Sequence, residues 1–181
     1  MRRPIIFNSF WPWAVCALAL AAVMGLSLTA LGGSTTSSGR RVASGGGTTI
    51  IQGGTGQAGG FIPVLTTIGF HAKRTDHVVT GDFECLARAP EAATGSGSAQ
   101  FTVNVMYVTG IVNGAVVNGD EATLTGTATI TGLGAGTNVP FTFVARKGGP
   151  GATAVLTTEG SPHLVFNEVL LEGSFQVFSE D

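Results

Sequence analysis

Asp120-Glu121-Ala122-Thr123-Leu124-Thr125-Gly126-Thr127-Ala128-Thr129-Ile130-Thr131-Gly132 repeats with a period of two. Ala122, Leu124, Gly126, Ala128 and Ile130 alternate with Thr123, Thr125, Thr127, Thr129 and Thr131. That period marks a strand with one dry face and one wet face. Threonine suits the wet face, because its branched Cβ favours extended backbone and its hydroxyl stays hydrated. A helix would scatter the threonines around its circumference. The stretch reads as the central strand of an antiparallel β domain to which the other segments add.

Working outward, the same alternation recurs on both sides. Downstream, Gly132-Leu133-Gly134-Ala135-Gly136 is a turn, and Val139, Phe141, Phe143 and Ala145 share the next face. Pro140 cannot donate to a ladder, so that strand is expected to begin there or lie at an edge. Arg146 to Gly151 is a turn, shorter strands follow near Ala152–Thr158 and His163–Phe166, and Leu171, Gly173, Phe175 and Val177 mark a last strand. Upstream, Asn113-Gly114 and Asn118-Gly119 both carry the signature of a tight hairpin turn. Phe101, Val103, Val105 and Tyr107 alternate with Thr102, Asn104 and Met106. Before the loop Ala89 to Ser98, Val79, Gly81, Phe83, Cys85 and Ala87 form one dry face, and Ile62, Val64, Ile68, Phe70 and Ala72 form another. No segment outside the leader has a helical period. Seven to nine short strands with regular turns predict an all-β domain over residues 61–181, either an antiparallel β-sandwich or a small up-and-down barrel.

The segment Gly33 to Gly60 is rich in Gly, Ser and Thr and reads as a flexible tether. Before it, Arg2 and Arg3 precede an apolar run from Ala14 to Leu31, and Ala30-Leu31-Gly32 offers a small-x-small cleavage site. Residues 1–32 therefore read as an apolar helix that is a signal peptide, or else an uncleaved membrane anchor. Either predicts an exported protein: secreted, periplasmic or at the cell surface. Loss of Arg2 and Arg3 would leave seven Lys+Arg against eleven Asp+Glu. Such a chain has no basic footprint for nucleic acid. Any contact with a membrane is expected only through the N-terminal segment. Of the two cysteines, Cys16 lies in the leader, so the domain itself holds one thiol, Cys85.

Several motifs follow one another in a familiar order. They are Gly69-Phe70 with Arg74, Gly81-Asp82-Phe83, Val108-Thr109-Gly110, and Ala122 to Thr129. After these come Pro140-Phe141-Thr142-Phe143, Gly149-Pro150-Gly151 and Gly173-Ser174-Phe175-Gln176-Val177. The order resembles the post-COAP type of Gly/Thr-rich bacterial secreted β domain, over roughly residues 68–178. Where members tend to carry an acidic turn before the Pro-Gly, this chain has Arg146-Lys147. The resemblance implies a secreted, non-enzymatic module and carries no catalytic residues with it.

Little in the sequence points to chemistry. No G-x-S-x-G, H-E-x-x-H or phosphate loop occurs. Gly54-Thr55-Gly56-Gln57-Ala58-Gly59 fits G-x-G-x-x-G, but a low-complexity tail precedes it where a dinucleotide site needs a strand. No cofactor and no catalytic residue is therefore expected. Asn118, Asp120 and Glu121 gather oxygen ligands at one hairpin end and are the candidate calcium ligands, although such turns favour these residues anyway. His71, His77 and His163 read as solvated, and Cys85 as a buried thiol beside Phe83.

The first functional expectation is an exported, non-catalytic module with a structural or interaction role toward a protein or surface partner. The alternative is a small-ligand-binding β-barrel. Phe70, Phe83, Phe101, Phe141, Phe143 and Phe175 discriminate: if they fill the interior no ligand fits, and a cavity of several hundred Å3 favours the binder. A small hydrolase would need a cleft joining a histidine, an acid and a nucleophile. An ice-binding array would need threonine rows on neighbouring strands, spaced about 6.7 Å along each.

Overall fold

A computed structural model of the chain describes residues 40–53, 63–91 and 100–178. The predicted apolar leader (residues 1–32), the Gly54–Gly59 motif and Ile62 lie outside them. The described residues form eight strands: β1 (Arg40–Ile51), β2 (Leu65–Thr75), β3 (Val78–Ala89), β4 (Val103–Asn118), β5 (Glu121–Gly132), β6 (Gly136–Arg146), β7 (Thr153–Thr158) and β8 (Leu164–Val177). Each pairs antiparallel with the next, and β8 pairs back onto β1, which closes an up-and-down barrel. Of the two predicted architectures the barrel is the one formed. Closure leaves no edge for another chain to extend and no central strand, so β5 is one stave among eight. Its alternation is as read: Ala122, Leu124, Ala128 and Ile130 are buried, and Thr125, Thr127, Thr129 and Thr131 are exposed.

Strand β1 corrects the tether. Arg40–Ile51 lies inside the segment expected to be flexible, yet it pairs with β2 on one side and β8 on the other. Its glycines are places where neighbouring backbone crowds in. A Cβ on Gly45 would lie 2.5 Å from the Ser174 carbonyl oxygen, and one on Gly47 would lie 1.9 Å from that of Glu172. The composition that mimics a linker is thus what lets a stave close the barrel.

Three further differences trace to bulges, each of which adds a residue to one strand and flips the faces beyond it. The β3–β4 register shifts between Ala87 and Arg88, so Met106 and Val108 point inward while Tyr107 faces out, the reverse of the faces predicted there, and Val103, on the far side of the bulge, is exposed at the start of the strand. The β4–β5 register shifts at Val112/Gly114, so Asn113-Gly114 is a bulge inside β4 and not a turn. The β1–β8 register shifts at Thr48/Thr49, and Leu170 is buried where Leu171, expected on the face of Phe175, is exposed. The hairpin expected at Asn118-Gly119 is present. Asn118 pairs with Glu121 across Gly119 and Asp120, and Gly119 has the positive φ of 61° that such a turn needs. Pro140 lies inside β6, one residue before the β6–β7 ladder begins at Phe141, so its missing N–H breaks no bond there.

An eight-stranded barrel is just wide enough for side chains to fill it, or to hold one small ligand. This barrel divides between the two. The middle, and the end where β1 begins and β8 finishes, is packed by phenylalanines. Phe175 and Phe143 flank Phe70 at ring centroid distances of 5.5 and 5.1 Å, and Phe83 lies 4.7 Å from Phe143 and 5.1 Å from Phe141. Phe141 lies over two glycines, Gly110 and Gly126, whose added Cβ atoms would come within 2.7 and 3.0 Å of its ring. Each buried ring contributes roughly 1.5–3 kcal/mol, and each aromatic contact about 0.5–1.5 kcal/mol more. Phe101 lies outside the strands and does not join them.

Candidate functional site

The opposite end, where β1 and β3 finish and β2 and β4 begin, is hollow. A cavity of about 670 Å3 lies there, within the range of small-molecule sites. Buried Thr66, Cys85, Ala87, Met106, Leu156 and Glu168 form its floor and walls, with Ile51, Val64, Val105, Leu164 and Phe166. Exposed Gln52, Gly53, Leu133, Val165 and Asn167 stand at its rim. The phenylalanines of the filled half do not line it.

The chemistry of this cavity centres on Glu168. Along β8, Leu164, Phe166, Glu168 and Leu170 share the inward face, so a carboxyl occupies a core position and is 1% exposed. Strand register supplies its partners. Thr49 on β1 stands directly across from Thr66 on β2, and Ile51 on β1 pairs with Glu168 itself. Both threonine hydroxyls donate to Glu168 Oε2. Oε1 has no hydrogen-bond partner among the described residues. A buried polar oxygen left unpaired costs about 1–3 kcal/mol, more if charged. Burial pushes the Glu168 carboxyl above the usual carboxylate range, and the hydrogen bonds from Thr49 and Thr66 draw it partly back.

Cys85 on β3 shares the cavity. Burial pushes its thiol well above the usual range, the negative charge of Glu168 pushes the same way, and Thr66 partly offsets both. A thiol held protonated is a poor nucleophile, and its burial is as read from the sequence.

The residues singled out in the sequence lie elsewhere. Asn118, Asp120 and Glu121 sit at the β4–β5 turn, at the filled end. Asp120 borders a surface groove together with Arg40, Arg41 and Lys147, a setting dominated by cations. No group of three or more His, Cys, Asp or Glu side chains among the described residues is placed to hold a metal. His71 faces Asp82 across β2 and β3 at 3.4 Å, and His163 contacts Glu159 at 3.0 Å. Both pairs are on the outer surface, and His77 is exposed in the β2–β3 turn. The threonine row of β5 does not continue as complete rows on its neighbours: Thr109 on β4 opposes Thr129 and Thr142 on β6 opposes Thr125, but the positions between are broken. Thr127 is flanked by Ile111 on β4 and Pro140 on β6, and Thr123 by Val116 and Val144.

Thr49, Thr66 and Glu168 were not among the residues that the sequence suggested. The available signal was a carboxylate at an alternate position of an otherwise apolar face in Leu164–Leu170. Compared with protein-family models, curated proteins and solved structures, the chain matches none.

Proposed function

We propose that the barrel is a binding protein for a small, largely apolar molecule, held in the hollow end. One observation carries this reading: an apolar cavity of about 670 Å3 opens at one end of a barrel whose other half is solid. A purely structural module, the first expectation from the sequence, has no use for a hollow half. Emptying it forfeits core contacts, and a carboxyl on its floor costs stability. The reading is non-catalytic, and it keeps the export suggested by Arg2, Arg3 and the apolar run Ala14 to Leu31. It also agrees with the secreted type of domain that the chain resembles.

Titration of the protein with Nile red, a neutral apolar dye whose emission shifts to the blue in dry surroundings, tests this. Saturable binding of one dye per chain is expected. Ala87→Phe, which places a ring in the cavity, should reduce that binding at least tenfold while far-UV circular dichroism is unchanged. Absence of saturable binding, or equal binding by the variant, would refute the reading.

A further inference from the structure

The polar floor of the cavity narrows the class of ligand, an argument that rests on the binding reading above. Glu168 is the only charged or cationisable side chain lining the cavity among the described residues; no Lys, Arg or His joins it. The protein directs hydroxyl donors at one carboxylate oxygen only. Thr49 and Thr66 reach Oε2 from two adjacent strands, and their pairing across the β1–β2 ladder fixes them there. Donors of this kind favour the ionised form of the acid. Oε1 is buried and has no hydrogen-bond partner among the described residues, and Glu168 lines the cavity. The site therefore supplies half the stabilisation of a carboxylate and leaves the other half open.

Three ligand chemistries meet this arrangement differently. A carboxylate ligand would bring a like charge into a dry pocket with no cation to offset it. A neutral alcohol could donate one hydrogen bond to Oε1 but would leave the charge unbalanced. A protonated amine supplies both the donor and the opposite charge, and charge-assisted bonds are roughly twice as strong as neutral ones. The remainder of such a molecule would lie against Met106, Leu156 and Phe166.

We infer that the barrel selects an apolar amine, bound as its ammonium ion with an N–H donated to Glu168 Oε1.

Three probes with one skeleton separate the possibilities: 1-naphthylmethylamine, 1-naphthylmethanol and 1-naphthoate, each titrated calorimetrically into the full chain at pH 7. The amine should bind at least ~10-fold more tightly than the alcohol, and the carboxylate most weakly. Glu168→Gln should weaken the amine at least ~10-fold and leave the alcohol within about threefold. Circular dichroism and the urea midpoint establish that the variant is folded. If it is not folded, Thr49→Val with Thr66→Val provides the second test, with a selective loss of amine affinity expected. An alcohol that binds as tightly as the amine, or an amine unaffected by Glu168→Gln, overturns the amine inference while the binding reading stands. If none of the three binds, the binding reading falls and this inference with it.

Discussion

Replacing Glu168 by glutamine keeps the shape of the side chain and its contacts with Thr49 and Thr66 but removes its ability to ionise. The consequence for stability depends on pH, and its sign follows from burial. The folded carboxyl titrates above its unfolded value, with burial as the larger cause and the two threonines opposing. Below the unfolded value, near 4.3 for a free glutamate, both states carry the proton and its contribution to stability is complete. As pH rises from the unfolded value through the folded one, the unfolded chain ionises readily in water while the folded chain must charge a buried carboxyl whose Oε1 has no partner among the described residues. Stability contributed by the protonated acid is therefore lost on the alkaline side. One buried oxygen left unpaired sets the size of the loss at about 1–3 kcal/mol. With a urea slope of about 1–3 kcal/mol/M, that is on the order of 1 M in the midpoint. At pH 4 the variant and the parent should unfold within about 1 kcal/mol of each other, since a neutral acid and an amide differ little in this setting. At pH 8 the variant should be the more stable by about 1–3 kcal/mol. Urea unfolding followed by circular dichroism at unit pH steps measures this, and subtracting one protein from the other cancels the remaining carboxyls. Parallel curves from pH 4 to 8 would show that Glu168 titrates as a solvated acid and that the cavity floor is not dry.

Other consequences are as direct. Phe143→Ala removes the ring between Phe70 and Phe83, a fully buried position, and should cost about 3–5 kcal/mol in the urea unfolding free energy; a loss under 1 kcal/mol would mean that the filled half is loosely packed. Gly126→Ala puts a Cβ 1.9 Å from the Ile111 carbonyl oxygen and against the Phe141 ring, so a loss of about 1–3 kcal/mol is expected in the same assay. Cys85, buried and held protonated by burial and by Glu168, should resist iodoacetamide at pH 8 in the folded protein and react fully in urea. Peptide mapping by mass spectrometry separates it from Cys16, and rapid alkylation of the folded protein would contradict its placement.

The architecture was legible where side chains alternate without interruption. Ala128 and Ile130 pack inward and Thr127, Thr129 and Thr131 face out where β5 runs opposite β4 over Met106–Val112 without a shift. Legibility stopped at the bulges. One extra residue near Met106 reverses the faces of β4, and nothing in Val103 to Tyr107 marks it, because a bulge is fixed by the neighbouring strand and not by local composition. Strand β1 was hidden for a related reason. Gly45, Gly46 and Gly47 look like a linker by composition, and only the approach of β8 and β2 shows that nothing larger fits. The site was the least visible. Asn118, Asp120 and Glu121, the oxygen donors adjacent in sequence, stay together at the β4–β5 turn. The cavity instead gathers Thr66, Cys85 and Glu168 from three strands, with Thr49 on a fourth bonded to Glu168, and barrel closure alone brings β8 beside β1.

The two halves of the barrel depend on each other energetically. A buried acid with one unpaired oxygen and an unfilled end both subtract from a stability that is small in any domain, about 5–15 kcal/mol. Phe70, Phe83, Phe141, Phe143 and Phe175 offset that loss in the other half, where interlocking rings and glycines placed under Phe141 leave no room for a ligand. Closure then transmits the rigidity. Strands β1, β2, β3 and β8 run from the filled half into the hollow one, so residues anchored at Ala43, Phe70, Phe83 and Phe175 set the positions of Thr49, Thr66, Cys85 and Glu168. A pocket built on continuous strands holds its polar groups in place before a ligand arrives, which lowers the ordering cost of binding. The division also makes the two kinds of variant separable. Changes among the phenylalanines should lower stability at every pH, whereas Glu168→Gln should act only above the pH at which the glutamate of the unfolded chain ionises.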